Sequence, residues 1–409
     1  MTRAVYAMAV LLFLLSTNPG RTQEELATTP PALAGGAAAA PESYNIKWGP
    51  TCWSFGASLE AQYTDNVSLD QNNSEGDLTV SPQMTAQMLW PISEKNTVHF
   101  SLGAGYSAYL QHSEFDRFFI TPSSALSFDL FVGPIQINFH ERLSISQNSY
   151  QDPTVSGTGN YSQLQNDAGV TTTWNLEKLS LNLGYDHLNY VTVTGPTGTG
   201  DGQSDVFTAS AGYKLVPEMT LGLEAGGSLI GHTGTNAVLS DLKEWNVGPF
   251  CEAQVSEHIQ LQGSVGYTEE YSSEPAGTNQ TSPQFSGVYG QLTLTHQLNQ
   301  YLYYTIGGQH SINSASFSGA IELSDLTLRA DWHIVRKLSI STSLSYEHGS
   351  QALSGSETFD RYGAGLESTW TITSKLSATF SYQFYQRDSN LSGGSYTANI
   401  FNLNLAYKF

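Results

Sequence analysis

From Cys52 onward the chain alternates apolar and polar positions with a period of two. In "WSFGASLEAQY" the positions Trp53, Phe55, Ala57, Leu59, Ala61 and Tyr63 are apolar, while Ser54, Gly56, Ser58, Glu60 and Gln62 are small or polar. The same pattern returns in "LTVSPQMTAQMLW", "VHFSLGAGYSAYL", "LSLNLGYDHL", "LSISTSLSYEH" and "LSATFSYQFYQR". This is the period of a sheet with one apolar and one polar face. About eighteen such segments can be counted, each near or above the ~9–11 residues that a tilted membrane strand requires. They include 52–63, 118–130, 359–372 and 396–409.

The connections also alternate. Longer polar loops at 64–76, 148–161, 192–203 and 271–283 take turns with tight ones at 175–178, 216–218, 256–257 and 373–374. Short turns on one side and longer loops on the other predict an all-β, transmembrane, antiparallel up-and-down barrel of the outer-membrane kind, spanning residues 52–409. With no loop much longer than about fourteen residues, the lengths do not predict a loop folded into the pore.

Tryptophan supplies an independent check. Trp53, Trp90, Trp174, Trp332 and Trp370 all fall on the apolar parity near the tight-turn ends, as one aromatic girdle should. Tyr63, Tyr106, Tyr185, Trp245, Tyr267 and Tyr346 fall on the same parity near the other ends and supply the second. A secreted β-sandwich also alternates but has no reason to band its aromatics. The last strand carries Phe401, Leu403, Leu405, Tyr407 and Phe409 on one face, and it is expected to close the barrel against the first strand. Its terminal Tyr407 and Phe409 resemble the signal read by the barrel-assembly machinery.

Composition agrees with this reading. The 409 residues include 38 Gly, 22 Tyr, 18 Phe and 7 Trp, with only 13% charged. Mean hydropathy is nevertheless −0.24, and after the N-terminus no run reaches the ~18 apolar residues of a membrane helix. Arg3 followed by "AVYAMAVLLFLL" and "STNPGRTQ" reads as a secretory signal over residues 1–22. Residues 23–51 follow as an Ala/Pro-rich periplasmic linker, which could enter the lumen as a plug. Removing Arg3 and Arg21 takes the formal charge from −20 to −22, which excludes nucleic acid as a partner and leaves the outer-membrane lipids. Cys52 and Cys251 map to distant walls and are expected to be free.

Function should lie on the inward positions. Parity places the acids Glu60, Asp77, Asp129, Asp167, Asp186, Glu224, Glu244, Glu252, Asp331, Glu347 and Glu367 there. The inward bases are Arg142, Lys214, Arg329, Arg361, Arg387 and Lys408. The surplus of acid predicts a cation-favouring lumen. Arg329, Asp331 and His333, with Arg361 and Glu367, are candidates for charge-assisted hydrogen bonds to a solute. Inward Tyr109, Tyr289, Tyr303 and Tyr385 offer stacking faces. No H-E-x-x-H, G-x-S-x-G or Walker loop is present, and the histidines His99, His140, His310 and His348 lie on different strands. The chain is therefore read as a non-enzyme without cofactor or metal. The acidic loop Asp65 to Asp77 lacks EF-hand spacing, since Gly76 comes one place late, and reads as a solvated outer loop.

The stretch "ASLEAQYTDNVSL" and the final hairpin "FSYQFYQRDSNLSGGSYTANIFNLNLAYKF" resemble the putative beta-barrel porin 2 group. The resemblance implies an outer-membrane barrel associated with exopolysaccharide biosynthesis and export, and a polysaccharide as candidate partner. It carries over no catalytic residues. The favoured function is a porin-like channel for hydrophilic solutes. The alternatives are a structural or adhesive barrel and a fatty-acid-type transporter.

Overall fold

The computed structural model describes residues 44–145, 149–159, 161–194, 201–232, 241–272, 284–315, 319–351 and 357–409. The expected signal segment and residues 23–43 of the expected linker lie outside these. The strands are β1 (Ile46–Trp48), β2 (Thr51–Thr64), β3 (Asp77–Pro91), β4 (Thr97–Tyr109), β5 (Arg117–Ile120), β6 (Ala125–Val132) and β7 (Ile135–Ile145). Next come β8 (Ser162–Leu176), β9 (Leu179–Thr194), β10 (Gly202–Val216), β11 (Met219–His232), β12 (Leu242–Ser256), β13 (Ile259–Ser272) and β14 (Gln284–Gln297). The last six are β15 (Leu302–Ala315), β16 (Gly319–Val335), β17 (Leu338–Gln351), β18 (Thr358–Thr371), β19 (Leu376–Ser389) and β20 (Tyr396–Lys408).

From β2 onward the strands pair antiparallel in sequence order, with β5 and β6 both between β4 and β7, and β20 returns to β2 from Gly56↔Lys408 to Thr64↔Ile400. The result is a closed antiparallel barrel of 18 wall positions. Closure leaves no strand edge unpaired in the membrane. Two departures from an even wall are physical consequences of local sequence. The segment expected as one strand over 118–130 is broken into β5 and β6, which share one position against β4. The break falls at Thr121 to Ser124, where Pro122 has no N–H for the ladder and the serines turn the chain. Within the span expected as linker, Ile46–Trp48 forms β1 on β2, and Asn45 Nδ2 donates to the Phe409 carbonyl at 2.8 Å.

The distribution of side chains is inverted relative to a water-soluble protein. Outward positions carry exposed Leu183, Leu223, Leu344, Leu366 and Leu403, whereas inward positions bury Asp129, Asp167, Arg361 and Arg387. Lipid takes the place of a core for the outer face, so the period-two pattern reports which side meets lipid rather than which is inside. Trp90, Trp174, Trp332 and Trp370 face outward and are exposed, Trp53 is half-buried beside Phe55, and Tyr407 and Phe409 are exposed on the same outer parity. Small apolar clusters do occur inside the strand ends away from the tight turns. Ile321, Leu323 and Phe359 form one, and Leu69, Tyr396 and Ala398 another. Both cysteines are free.

Candidate functional site

Cross-strand register builds the most heavily bonded part of the inner wall. Glu347, Arg361, Arg387 and Tyr396 are successive partners across β17, β18, β19 and β20. Two guanidiniums are thus placed side by side, a costly arrangement unless each is fully engaged. Arg361 Nη1 donates to Glu347 Oε2 at 3.0 Å and its Cζ lies 4.4 Å from the Tyr385 ring centre. Arg387 meets Glu357 at 2.8 Å and lies 4.0 Å from the Phe359 ring. Planar, delocalised charge suits both the forked bonds and the stacking, which is why arginine and not lysine occupies these positions.

One further donor of each arginine holds a loop. Arg361 Nη2 donates to the Tyr150 carbonyl, and Arg387 Nε donates to the Pro153 carbonyl at 3.0 Å. These carbonyls belong to the segment between β7 and β8, far around the wall from β18 and β19. Residues 149–159 therefore reach across part of the mouth and settle on the inner face near the β2–β20 seam. Val155 is completely buried there, the Tyr150 ring lies tilted against that of Tyr385 with centres 6.0 Å apart, and Gln62 Nε2 donates to the Tyr150 hydroxyl at 3.2 Å. Gly157, with φ of +66°, donates its N–H to the Leu69 carbonyl at 3.0 Å. Asp152 turns the loop by accepting from the Thr154 N–H and hydroxyl, and burial pushes its carboxyl upward. An inward-folded loop was not expected from loop lengths. The signal present was the pair of inward arginines, which exceed what wall pairing alone consumes.

The first loop joins this assembly and is not simply solvated. Asp65 accepts from the Asn399 N–H at 2.7 Å and from its side chain at 2.6 Å, while Asn66 Nδ2 donates to the Asp70 and Thr397 carbonyls. His112 bridges Glu75 at 2.7 Å and Asp77 at 3.0 Å through its two ring nitrogens.

A second inward constellation lies on β6 to β9. His140, Gly169 and Asp186 are successive partners on β7, β8 and β9. Because the middle residue has no side chain, His140 Nε2 reaches Asp186 Oδ1 at 2.6 Å over it. Arg142 and Asp167, one row along, pair at 2.8 Å. His140 Nδ1 faces Asn138 Oδ1 at 3.0 Å, and Asn138 Nδ2 donates to Asp129 Oδ1 at 2.8 Å. Composition had scattered these histidines over separate strands; register brings one of them to two acids.

Elsewhere on the inner wall Arg329 forks onto Asp331 at 3.0 and 2.9 Å, with Ser341 on the same carboxylate. Among the described residues Arg142, Arg329, Arg361 and Arg387 are each tied to an acid, whereas Glu60, Glu224, Glu252 and Glu367 make no ion pair. Glu224 accepts from the Tyr289 hydroxyl at 3.1 Å. Arg361 and Arg387 sit on the lumen side, but the loop covers them, so they do not line open water. The tyrosines expected as stacking faces are partly engaged, Tyr385 under Arg361 and Tyr109 beside Phe115 and Arg117.

Comparison with solved structures returns porin barrels of Pseudomonas aeruginosa. OccK2 (OpdF) aligns over 88% of this chain and 97% of its own, with 13% identity and a TM-score of 0.50. The same protein solved in complex with glucuronate covers 88% and 98%, again with 13% identity and a TM-score of 0.50. OpdK with vanillate covers 87% and 98%, with 11% identity and a TM-score of 0.49. At these identities the likeness is one of fold. No curated protein matches the chain significantly. Residues 54–409 match the family described as putative beta-barrel porin 2, which is nearly the whole of the barrel. The chain belongs to the putative beta-barrel porin 2 family, and it is an outer-membrane, porin-type channel barrel and not an enzyme.

Proposed function

We propose that the barrel passes small hydrophilic solutes and prefers cations. The observation that carries this is the imbalance of free charge on the inner wall. The inward arginines named above are neutralised by acids, while among the described residues four inward carboxylates, Glu60, Glu224, Glu252 and Glu367, stand without an ion pair against two such inward lysines, Lys214 and Lys408. A wall with surplus carboxylates raises the local concentration of cations and lowers that of anions. The loop of residues 149–159 narrows the mouth, so the solutes are small.

Passage of an exopolysaccharide chain is the reading this arrangement favours less. A polymer needs an unobstructed bore and free ring faces, and the loop and the engaged Tyr385 oppose both. A carboxylated sugar like the glucuronate of the solved relative would want open guanidiniums, and here Arg361 and Arg387 are covered.

The test is the reversal potential of refolded full-length protein in a planar bilayer under a salt gradient, without and with added glycan. A cation-selective conductance indifferent to glycan supports the proposal. Anion selectivity, or no conductance from folded barrel, would remove it, and block by glycan would restore the polysaccharide reading.

A further inference from the structure

The His140, Asp167 and Asp186 constellation has a feature that a structural ion pair does not need. Asp129 can only accept, so Asn138 must direct its amide nitrogen to Asp129 and its Oδ1 to His140. Nδ1 of His140 then carries a proton, and its Nε2 faces Asp186 Oδ1 at 2.6 Å, a separation that requires either a second ring proton or a cation between the two atoms. A proton would suffice for that pair alone. Yet a third donor converges on the same place: one oxygen from each of Asp167 and Asp186 and one nitrogen of His140 lie within 4.8 Å of each other. Asp167 is only 5% exposed, Arg142 takes its Oδ2, and its Oδ1 has no hydrogen-bond partner.

We propose that these three side chains hold a divalent transition-metal ion of the zinc class on the lumen wall. Metal bonds of ~2.0–2.2 Å to imidazole nitrogen and carboxylate oxygen need donors roughly 3.4 Å apart, within the spread found here after a small opening of the His140–Asp186 pair. The Asp129–Asn138–His140 chain is the outer support that fixes the tautomer and the ring plane of a metal-bound imidazole. Gly169 is the gap that lets donors from β7 and β9 converge over β8; a Cβ there would lie 2.6 Å from His140 Nε2. Asp186 is the least buried of the three, so the fourth position opens toward the lumen and a passing ion. A mixed nitrogen and oxygen set favours zinc-like ions over Ca²⁺ or Mg²⁺, which take oxygen alone.

The experiment is calorimetric titration of refolded full-length barrel in detergent with ZnCl₂, and separately with CaCl₂. Folding of every variant is verified by heat-modifiable migration. One equivalent of Zn²⁺ should bind saturably, Ca²⁺ should not compete, and Asp167→Asn and Asp186→Asn should each weaken Zn²⁺ by about tenfold or more. His258→Ala, in an exposed turn, should change nothing. Asp167→Asn guards against an unfolded Asp186 variant, and it separates metal from a shared proton because the proton does not use Asp167. Absence of saturable Zn²⁺ binding, undiminished binding in folded Asp167→Asn, or Ca²⁺ binding of equal strength would overturn the proposal.

Discussion

Arg387 donates from Nε to the carbonyl of Pro153 at 3.0 Å, joining residues 234 apart in sequence and fixing the loop between β7 and β8 to β19. Its guanidinium is wholly buried, with Glu357 as counter-charge. Replacing Arg387 by Ala removes the hold and leaves Glu357 without its cation, at a cost of about 3–5 kcal/mol. Much of that cost is relieved if the loop swings away and water enters. Arg387→Ala, and Arg361→Ala with it, should therefore raise single-channel conductance and make residues 149–159 sensitive to added protease. Unchanged conductance in both folded variants would mean that the loop does not limit the bore. Lysine at either position keeps charge but loses the fork, and should give an intermediate result.

The two segments that carry the family resemblance are brought together by the fold. Asp65 and Asn66 of the first bind Asn399 and Thr397 of the last strand, and Arg387 of the final hairpin holds the loop above them. Those motif residues were visible in the sequence, but their meeting was not, because nothing local tells one end of a chain that it will lie beside the other. Faces were legible for a simple reason: period two divides lipid from lumen for every residue of a strand at once. Loop direction has no period, so the sequence of residues 149–159 itself carries no sign of turning inward, and the one hint lay in the inward arginines that receive it. Register was equally silent. Only a specific pairing puts Gly169 between His140 and Asp186, and a slip of one residue in any of the three strands would have turned that strand's member to the outer face.

That pairing makes Gly169 a position where the smallest substitution is informative. An added Cβ would overlap Asp186 Oδ1 and come within 2.8 Å of the Tyr185 carbonyl, so both the side-chain pair and the strand must shift. Gly169→Ala should destabilise the barrel by about 1–3 kcal/mol, the usual range for overpacking. The comparison is the urea midpoint of the variant and parent folded into the same lipid vesicles. Coincident midpoints would mean the wall yields freely there and the gap is not required.

The clasp of His112 on Glu75 and Asp77 ties the loop before β3 to the turn after β4, and it titrates. The hydrogen bond to Glu75 raises His112 above its usual 6.5, and that same bond, with help from Asn73, lowers Glu75 below its usual 4.5. A raised histidine contributes stability that is full below 6.5 and lost as pH rises through the raised value. A lowered carboxyl contributes stability that is present above 4.5 and lost as pH falls through the lowered value. The clasp is thus firmest between those limits. Amide exchange at Gln111 and His112, whose N–H groups donate to Asp77, should be slower at about pH 5.5 than at about pH 8.5 after correction for intrinsic rates. His112→Ala should remove the difference, and a difference that survives it belongs to another group.

Selectivity should follow the carboxylates that have no partner. Glu60, Glu224 and Glu252 face the lumen from β2, β11 and β12 without an ion pair, whereas Asp331 and Glu347 are already neutralised by Arg329 and Arg361. Removing charge from the first set changes the field in the bore; removing it from the second exposes an arginine as well. The triple variant Glu60→Gln, Glu224→Gln, Glu252→Gln should lower the cation-to-anion permeability ratio several-fold at low salt, with the effect fading toward ~1 M salt, where the screening length falls to about 3 Å. Conductance itself should change little, because glutamine conserves volume. A ratio that stays at the parental value would place the selectivity elsewhere, and the opposed Glu244 and Glu270 of β12 and β13 would be the next pair to replace.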